Sequence, residues 1–385
     1  MEVDIKGHVK PGFESVRDEF ARLWDEIEVG ASFCVYHQGE TIIDLWGGAI
    51  DREESADWQA DTLVNVYSAT KGPASLAIAI LHDEGLIDYD EKVATYWPEF
   101  GAEGKQNITV AQLLSHQAGL SSVDATLTVE DLYDWDKMTN LLAAQKPLWE
   151  PGTASGYHAI TWGYFPGELI RRITGKTLKD YFDEKVAKPL NADFYIGLPE
   201  SQYHRCATLI GPNRARKQPA PAQQVKMPEL FAGSLLNPSI SPFKHACSAP
   251  WREAEIAASN GHSSARGLAK VYGALAANGT LGGTKIISPE SLAEATKVEV
   301  DGKGKEDLVL GGQLRRARGF MLNNDNAYGP NDEAFGHAGA GGSLGFADPI
   351  TGIGFGYAMN QMQSDAASTP RSKLLASAVY KCLSE

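Results

Sequence analysis

The chain has 385 residues, 43% apolar and 22% charged, a balance that excludes a disordered or fibrous polypeptide and, at this length, predicts two structural units. A net charge of −14 argues against nucleic acid and anionic membrane surfaces as partners, since both need a basic face. The widely spaced Cys34, Cys206, Cys247 and Cys382, the lack of any bilayer-length apolar run, and a start without a basic-then-apolar leader predict a reduced, cytoplasmic protein.

Phe13, Val16, Phe20, Leu23, Trp24 and Ile27 recur at helical spacing, so an amphipathic helix opens the fold. The β-rich segments 31–37 and 41–46, separated by Gln38-Gly39-Glu40, predict a hairpin. Ser68-Ala69-Thr70-Lys71 then heads an apolar run over 73–81, a helix buried on nearly all sides that stops near Gly85; Gly72-Pro73 predicts a kink in it. Onward to about residue 200 the periodicity is mostly helical, with Thr109 capping a helix that opens at Val110 and Gly175 ending one over 165–173. Prolines thin out regular structure between 205 and 262, and the basic cluster 213–217 reads as a solvated loop. A helical pattern returns over 265–277. Segments 337–347 and 352–359 read as the last strands, and Thr369-Pro370 opens a closing helix whose apolar face is Leu374, Leu375, Ala378, Val379 and Cys382. Helices and strands at both ends imply one α/β sheet unit built from 1–90 and 255–385. Residues 91–254 form a mainly helical insertion, and the Pro-rich region at about 205–262 walls the site.

The chemistry begins at Ser68. Three positions are about one helical turn, so its hydroxyl and the Lys71 amine share a face, and the helix N-terminus adds free N–H groups and a positive dipole end. That is an acyl-transfer site in outline. Ser-x-x-Lys recurs at Ser241 and Lys244, but in a proline-spaced loop with no apolar helix behind it, and that copy reads as accidental. Pro151-Gly152-Thr153-Ala154-Ser155-Gly156-Tyr157-His158-Ala159 places a tyrosine at the mouth of a new helix. Gly336-His337-Ala338-Gly339-Ala340-Gly341-Gly342-Ser343-Leu344-Gly345-Phe346 is a glycine-rich strand whose backbone can lie close to a substrate. The same run contains Gly341-Gly342-Ser343-Leu344-Gly345, the pattern of a nucleophile elbow. An elbow must join a strand to a helix, whereas Phe346-Ala347-Asp348-Pro349 continues a strand and turns, so Ser343 reads as a sheet residue beside the site. The nine histidines show no ligand spacing, and neither a metal nor another cofactor is expected.

The ordered Ser-x-x-Lys, tyrosine loop and glycine-rich strand resemble the serine β-lactamase and penicillin-binding-protein superfamily, nearest to class C β-lactamases and family VIII carboxylesterases. Supporting runs are Leu113-Leu114-Ser115-His116-Gln117-Ala118-Gly119-Leu120 and Ser259-Asn260-Gly261-His262-Ser263. The resemblance implies an antiparallel sheet flanked by N- and C-terminal helices, with Ser68 as nucleophile, Lys71, Tyr157 or the pair as general base, and an oxyanion hole from the N–H groups of Ser68 and Ala340. Desolvation and neighbouring positive charge would each depress Lys71, and its ammonium form would depress Tyr157. Two departures point away from β-lactams. Class C enzymes have Tyr-x-Asn where this chain has Tyr157-His158-Ala159, and Lys-Thr-Gly where it has His337-Ala338-Gly339, so a fixed cation gives way to an imidazole mostly neutral at pH 7. Both suit uncharged esters. The expected activity is hydrolysis of small short-acyl esters through an acyl-serine, by a monomer or homodimer, with His337 and Gly339 lining the site and Trp162 and Trp251 shaping an apolar pocket. The alternatives are a β-lactamase, D-aminopeptidase, amide hydrolase or acyltransferase on the same scaffold, or a non-catalytic acyl-binding protein.

Overall fold

Alternation along the strands settles which way the central sheet faces. In β2 (Gly30–His37), Phe33 and Val35 enter one core and Cys34 the other, the period of two expected of a strand buried on both sides. In this computed structural model, which describes residues 3–211, 228–363 and 370–385, β2 is the third strand of a seven-stranded, wholly antiparallel sheet. Its order runs β1 (Lys6–Val9), β3 (Glu40–Gly48), β2, then Ile353–Met359, Leu344–Asp348, Phe335–Ala338 and Met321–Leu322. The two ends of the chain thus pair in one sheet, through Phe33 opposite Tyr357 and Ala31 opposite Met359. The predicted hairpin turn holds, with Gln38 and Gly39 both at positive φ.

On one face α1 (Glu14–Glu26) and the C-terminal helix (Pro370–Ser384) bury Val16, Phe20, Leu23, Leu375 and Val379 against the sheet. On the other face the helix Ala265–Ala276 approaches so closely that a Cβ on Gly354 would fall 2.2 Å from the Gly273 nitrogen, and only glycine fits there. Beyond that helix lies α2 (Lys71–Asp83), buried from Lys71 to Leu81, and then the short helices of the middle of the chain. The basic cluster 213–217 and the cap residue Thr369 lie outside the described residues. Among the described residues no helix is long and apolar enough to cross a membrane, and all four cysteines are free.

Two expectations need correction. Pro73 does not kink a helix interior: a 3₁₀ turn over Tyr67–Thr70 precedes α2, so Pro73 is the third residue of α2, within the first turn, where an N–H is not required. The segment 337–347 is not one strand. It is Phe335–Ala338 and Leu344–Asp348 joined by a tight turn in which Gly341 and Gly342 take positive φ, and Ser343 lies in that connection.

Candidate active site

The nucleophile candidate sits where the chain is most tightly held. Tyr67 adopts the left-handed region (φ 46°), so the backbone turns sharply just before Ser68 and leaves that serine half-buried above the start of α2. The Val66 N–H donates to the Gly261 carbonyl at 2.8 Å, and the Gly261 N–H donates to Thr70 Oγ1 at 2.9 Å. Segment 256–261 is fixed in turn by Asn260, whose amide accepts from the Ile256 N–H and donates to the carbonyls of Trp251 and Ala254. The result brings the Ala258 carbonyl to 3.0 Å from Lys71 Nζ.

Lys71 is fully buried. Its Nζ lies 2.8 Å from the Ala159 carbonyl, 3.0 Å from the Ala258 carbonyl and 3.3 Å from Ser68 Oγ, and no carboxylate pairs with it among the described residues. Burial therefore pushes its pKa well below the ordinary lysine value. Tyr157 Oη donates to Ser68 Oγ at 2.8 Å, and Lys71 Nζ lies 4.8 Å from the centre of the phenol ring. The expected depression of Tyr157 by a lysine ammonium does not hold, because burial raises the phenol pKa and outweighs its hydrogen bond to Ser68. The three side chains form a row, phenol to hydroxyl to amine, with the tyrosine favoured as a neutral donor and the lysine as a neutral amine.

Polar groups invisible as a motif hold the tyrosine loop. The Tyr157 N–H donates to Asp307 Oδ1 at 3.1 Å, and Asp307 Oδ2 is paired with Arg316 at 2.6 Å, both side chains being 1% exposed. Ser234 Oγ donates to the Tyr157 carbonyl at 2.8 Å and accepts from the Ala159 N–H at 3.2 Å. Behind the phenol, His116 lies 5.1 Å from it, ring to ring, and its Nδ1 accepts from the His158 N–H at 3.0 Å. His116 was visible within its run, but nothing in the sequence around Asp307, Arg316 or Ser234 marks them: Asp307 follows Lys305-Glu306 and reads as a solvated surface.

His337 and Gly339 lie beside this row. The His337 ring is 6.1 Å from that of Tyr157, its Nδ1 pairs with the Ala338 carbonyl at 2.7 Å, and burial lowers its pKa to about 3, so the imidazole is neutral. A Cβ on Gly339 would fall 2.0 Å from the Val66 carbonyl oxygen, so only glycine lets the turn lie against the backbone two residues before Ser68. Ala340 follows, exposed at the tip. Trp162 and Trp251 do not line a pocket. Both are 0% exposed and belong to the core, Trp162 donating to the Leu114 carbonyl at 3.0 Å and Trp251 to Asn65 Oδ1 at 2.8 Å. Large aromatics with a satisfied N–H serve here as frame. Ser343 is buried with no hydrogen-bond partner for its hydroxyl among the described residues, and so lacks a base. The second Ser-x-x-Lys is the start of a short helix, Pro242–His245, in which Ser241 Oγ accepts from the Lys244 backbone N–H and the Lys244 side chain is exposed.

The family model described as Beta-lactamase matches residues 16–379, and the chain belongs to that family. It is 35% identical to the esterase/beta-lactamase LipL of Mycobacterium tuberculosis (strain ATCC 25618 / H37Rv) over 372 residues, 95% of this chain and 85% of that protein. Among solved structures it is similar to a family VIII carboxylesterase, at 48% identity and a TM-score of 0.92 over 98% of this chain and 100% of the other. It is also similar to a penicillin-binding-protein homologue from Caulobacter crescentus, at 40% identity and a TM-score of 0.91 over the same shares.

Proposed function

We propose that this Beta-lactamase-family chain is a serine carboxylesterase that hydrolyses small, short-acyl esters through an acyl-Ser68 intermediate. The observation that carries the reading is the row Tyr157 Oη, Ser68 Oγ, Lys71 Nζ around a lysine surrounded by carbonyl oxygens. A neutral amine has two N–H groups and one lone pair. The carbonyls of Ala159 and Ala258 accept the two N–H groups, which leaves the lone pair for the Ser68 hydroxyl, and Ser68 Oγ accepts from Tyr157.

In this reading the Ser68 proton passes to Lys71 Nζ as Oγ bonds to the ester carbonyl carbon. The N–H groups of Ser68 and Ala340 would stabilise the oxyanion, each by roughly 3 kcal/mol. When the C–O bond to the alcohol breaks, the departing oxygen takes the Tyr157 proton and the Lys71 ammonium restores it to the phenolate. Water then adds to the acyl carbon and passes a proton to the same lysine, and Ser68 leaves protonated. A neutral His337 beside the phenol offers no cation to a substrate carboxylate, which favours uncharged esters.

The name of the 35% identical relative, esterase/beta-lactamase, supports β-lactam hydrolysis at the same serine as a second reading. Ala159 and His337 weigh against it, since neither supplies an amide or a permanent cation. Hydrolysis of p-nitrophenyl butyrate and of a cephalosporin by the wild type and by Ser68→Ala, purified identically, separates the two. The esterase reading predicts ester turnover at least about a hundredfold more efficient than cephalosporin turnover, a gap of about 2.7 kcal/mol, and both lost in the variant. Efficient cephalosporin hydrolysis with poor ester turnover would reverse the assignment.

A further inference from the structure

Tyr157 is set by its backbone, and its backbone is set by one buried ion pair. Asp307 Oδ1 accepts from three N–H groups, those of Tyr157 at 3.1 Å, Val309 at 2.9 Å and Leu310 at 2.7 Å, while Oδ2 pairs with Arg316. Arg316 also donates to Ser155 Oγ, and the Ser155 carbonyl accepts from the Leu308 N–H at 3.0 Å. The pair therefore fastens 307–310 and 316 to both ends of Ser155-Gly156-Tyr157. Two residues further on, the Ala159 carbonyl is one of the two that contact Lys71. A shift of this segment moves the phenol away from Ser68 and removes a carbonyl from the lysine together.

We propose that Asp307 and Arg316 are positioning residues for ester hydrolysis, holding the 155–159 segment where the Tyr157 hydroxyl reaches Ser68 and the Ala159 carbonyl reaches Lys71. This rests on the reading above that Tyr157 and Lys71 work on Ser68. A pair that only stabilised the fold could be exchanged for apolar side chains with little effect on turnover. A positioning pair cannot, because a misplacement of about 1 Å costs roughly a hundredfold in rate.

The test is a double-mutant cycle on p-nitrophenyl butyrate, with thermal melting recorded for every variant. Asp307→Ala/Arg316→Met removes both charges at once and leaves no unpaired buried ion. It is expected to lower kcat at least tenfold with KM within about threefold. In a Tyr157→Phe background the same pair of substitutions is expected to cost kcat at least threefold less than it does in the wild type, because the phenol is already gone and only the Ala159 contact to Lys71 remains to be lost. A folded double variant with wild-type kcat, or a loss that multiplies with that of Tyr157→Phe, overturns the inference. Should the double variant not fold, Asp307→Asn replaces it, with a loss of threefold or more in kcat that shrinks in the Tyr157→Phe background; an unchanged kcat overturns the inference. If Tyr157→Phe alone keeps wild-type kcat, the reading of Tyr157 fails and takes this inference with it, an outcome distinct from failure of the ion pair alone.

Discussion

The chain contains Ser-x-x-Lys twice, and the two copies differ in everything except spacing. At Ser68 and Lys71 the turn leads into the buried helix α2, the amine is sealed from water, and among the described residues its acceptors are the serine and two carbonyl oxygens. At Ser241 and Lys244 the serine caps a four-residue helix and the lysine extends into solvent. Spacing alone puts the two side chains on one face; burial without a counter-ion is what lowers the lysine toward a usable base. The other buried cations underline the point. Arg316, Arg318 and Arg371 have Asp307, Glu299 and Glu28 beside them, whereas Lys105, buried against the Gln145 carbonyl and lowered to about 8, has an amine like that of Lys71 but, among the described residues, no serine bonded to it.

The contrast can be broken most severely at the serines. Ser68→Ala is expected to lower kcat/KM on p-nitrophenyl butyrate by about 10⁴-fold or more, while Ser241→Ala and Ser343→Ala stay within about twofold; an inactive Ser343→Ala with an active Ser68→Ala would move the nucleophile to the glycine-rich turn. The lysines come next. Lys71→Arg puts a permanently protonated guanidinium where a neutral amine must accept the Ser68 proton, and a loss of about 10³-fold is expected, against no change for Lys244→Arg in the same assay.

Titration sharpens the comparison further. Lys71 must be neutral to accept a proton, so kcat/KM rises with pH through its depressed pKa, and the raised Tyr157 pKa postpones any alkaline fall to above about 10. A rate that declines from pH 7 to 9 in a stable enzyme would contradict this assignment. Stability titrates as well. His158 and His337 are buried around the first copy with pKa values lowered to about 3, against about 6.5 unfolded. Their contribution is present above about pH 6.5 and is lost as pH falls toward 3, by up to about 1.4 kcal/mol per unit for each histidine. Urea midpoints should fall over that window, and His337→Gln should flatten the fall.

Much of this was legible in the sequence, for reasons that local physics supplies. Alternation revealed the hairpin of β2 and β3 and the strand over Ile353–Met359. The apolar run after Lys71 revealed the buried helix, and the Thr109 cap and Gly175 stop are both realised. β1 was missed because Lys6–Val9 is a short, largely exposed edge with no apolar alternation. The turn at 339–343 was read as continuous strand because its glycines say nothing about direction until the neighbouring strands are placed. Trp162 and Trp251 were read as pocket walls because an aromatic's place, core or cleft, depends on neighbours distant in sequence. Asp307, Arg316 and Ser234 act on the Tyr157 segment across long sequence separations, and no local pattern carries that information.

The measurement that bears most directly on the central claim is rapid quenching of the enzyme with p-nitrophenyl butyrate, followed by peptide mapping by mass spectrometry. The account predicts one butyryl group on the peptide containing Ser68, appearing with the burst of p-nitrophenol and absent from Ser68→Ala. A butyryl group on the peptide containing Ser343, or turnover by Ser68→Ala at the wild-type rate, would contradict it.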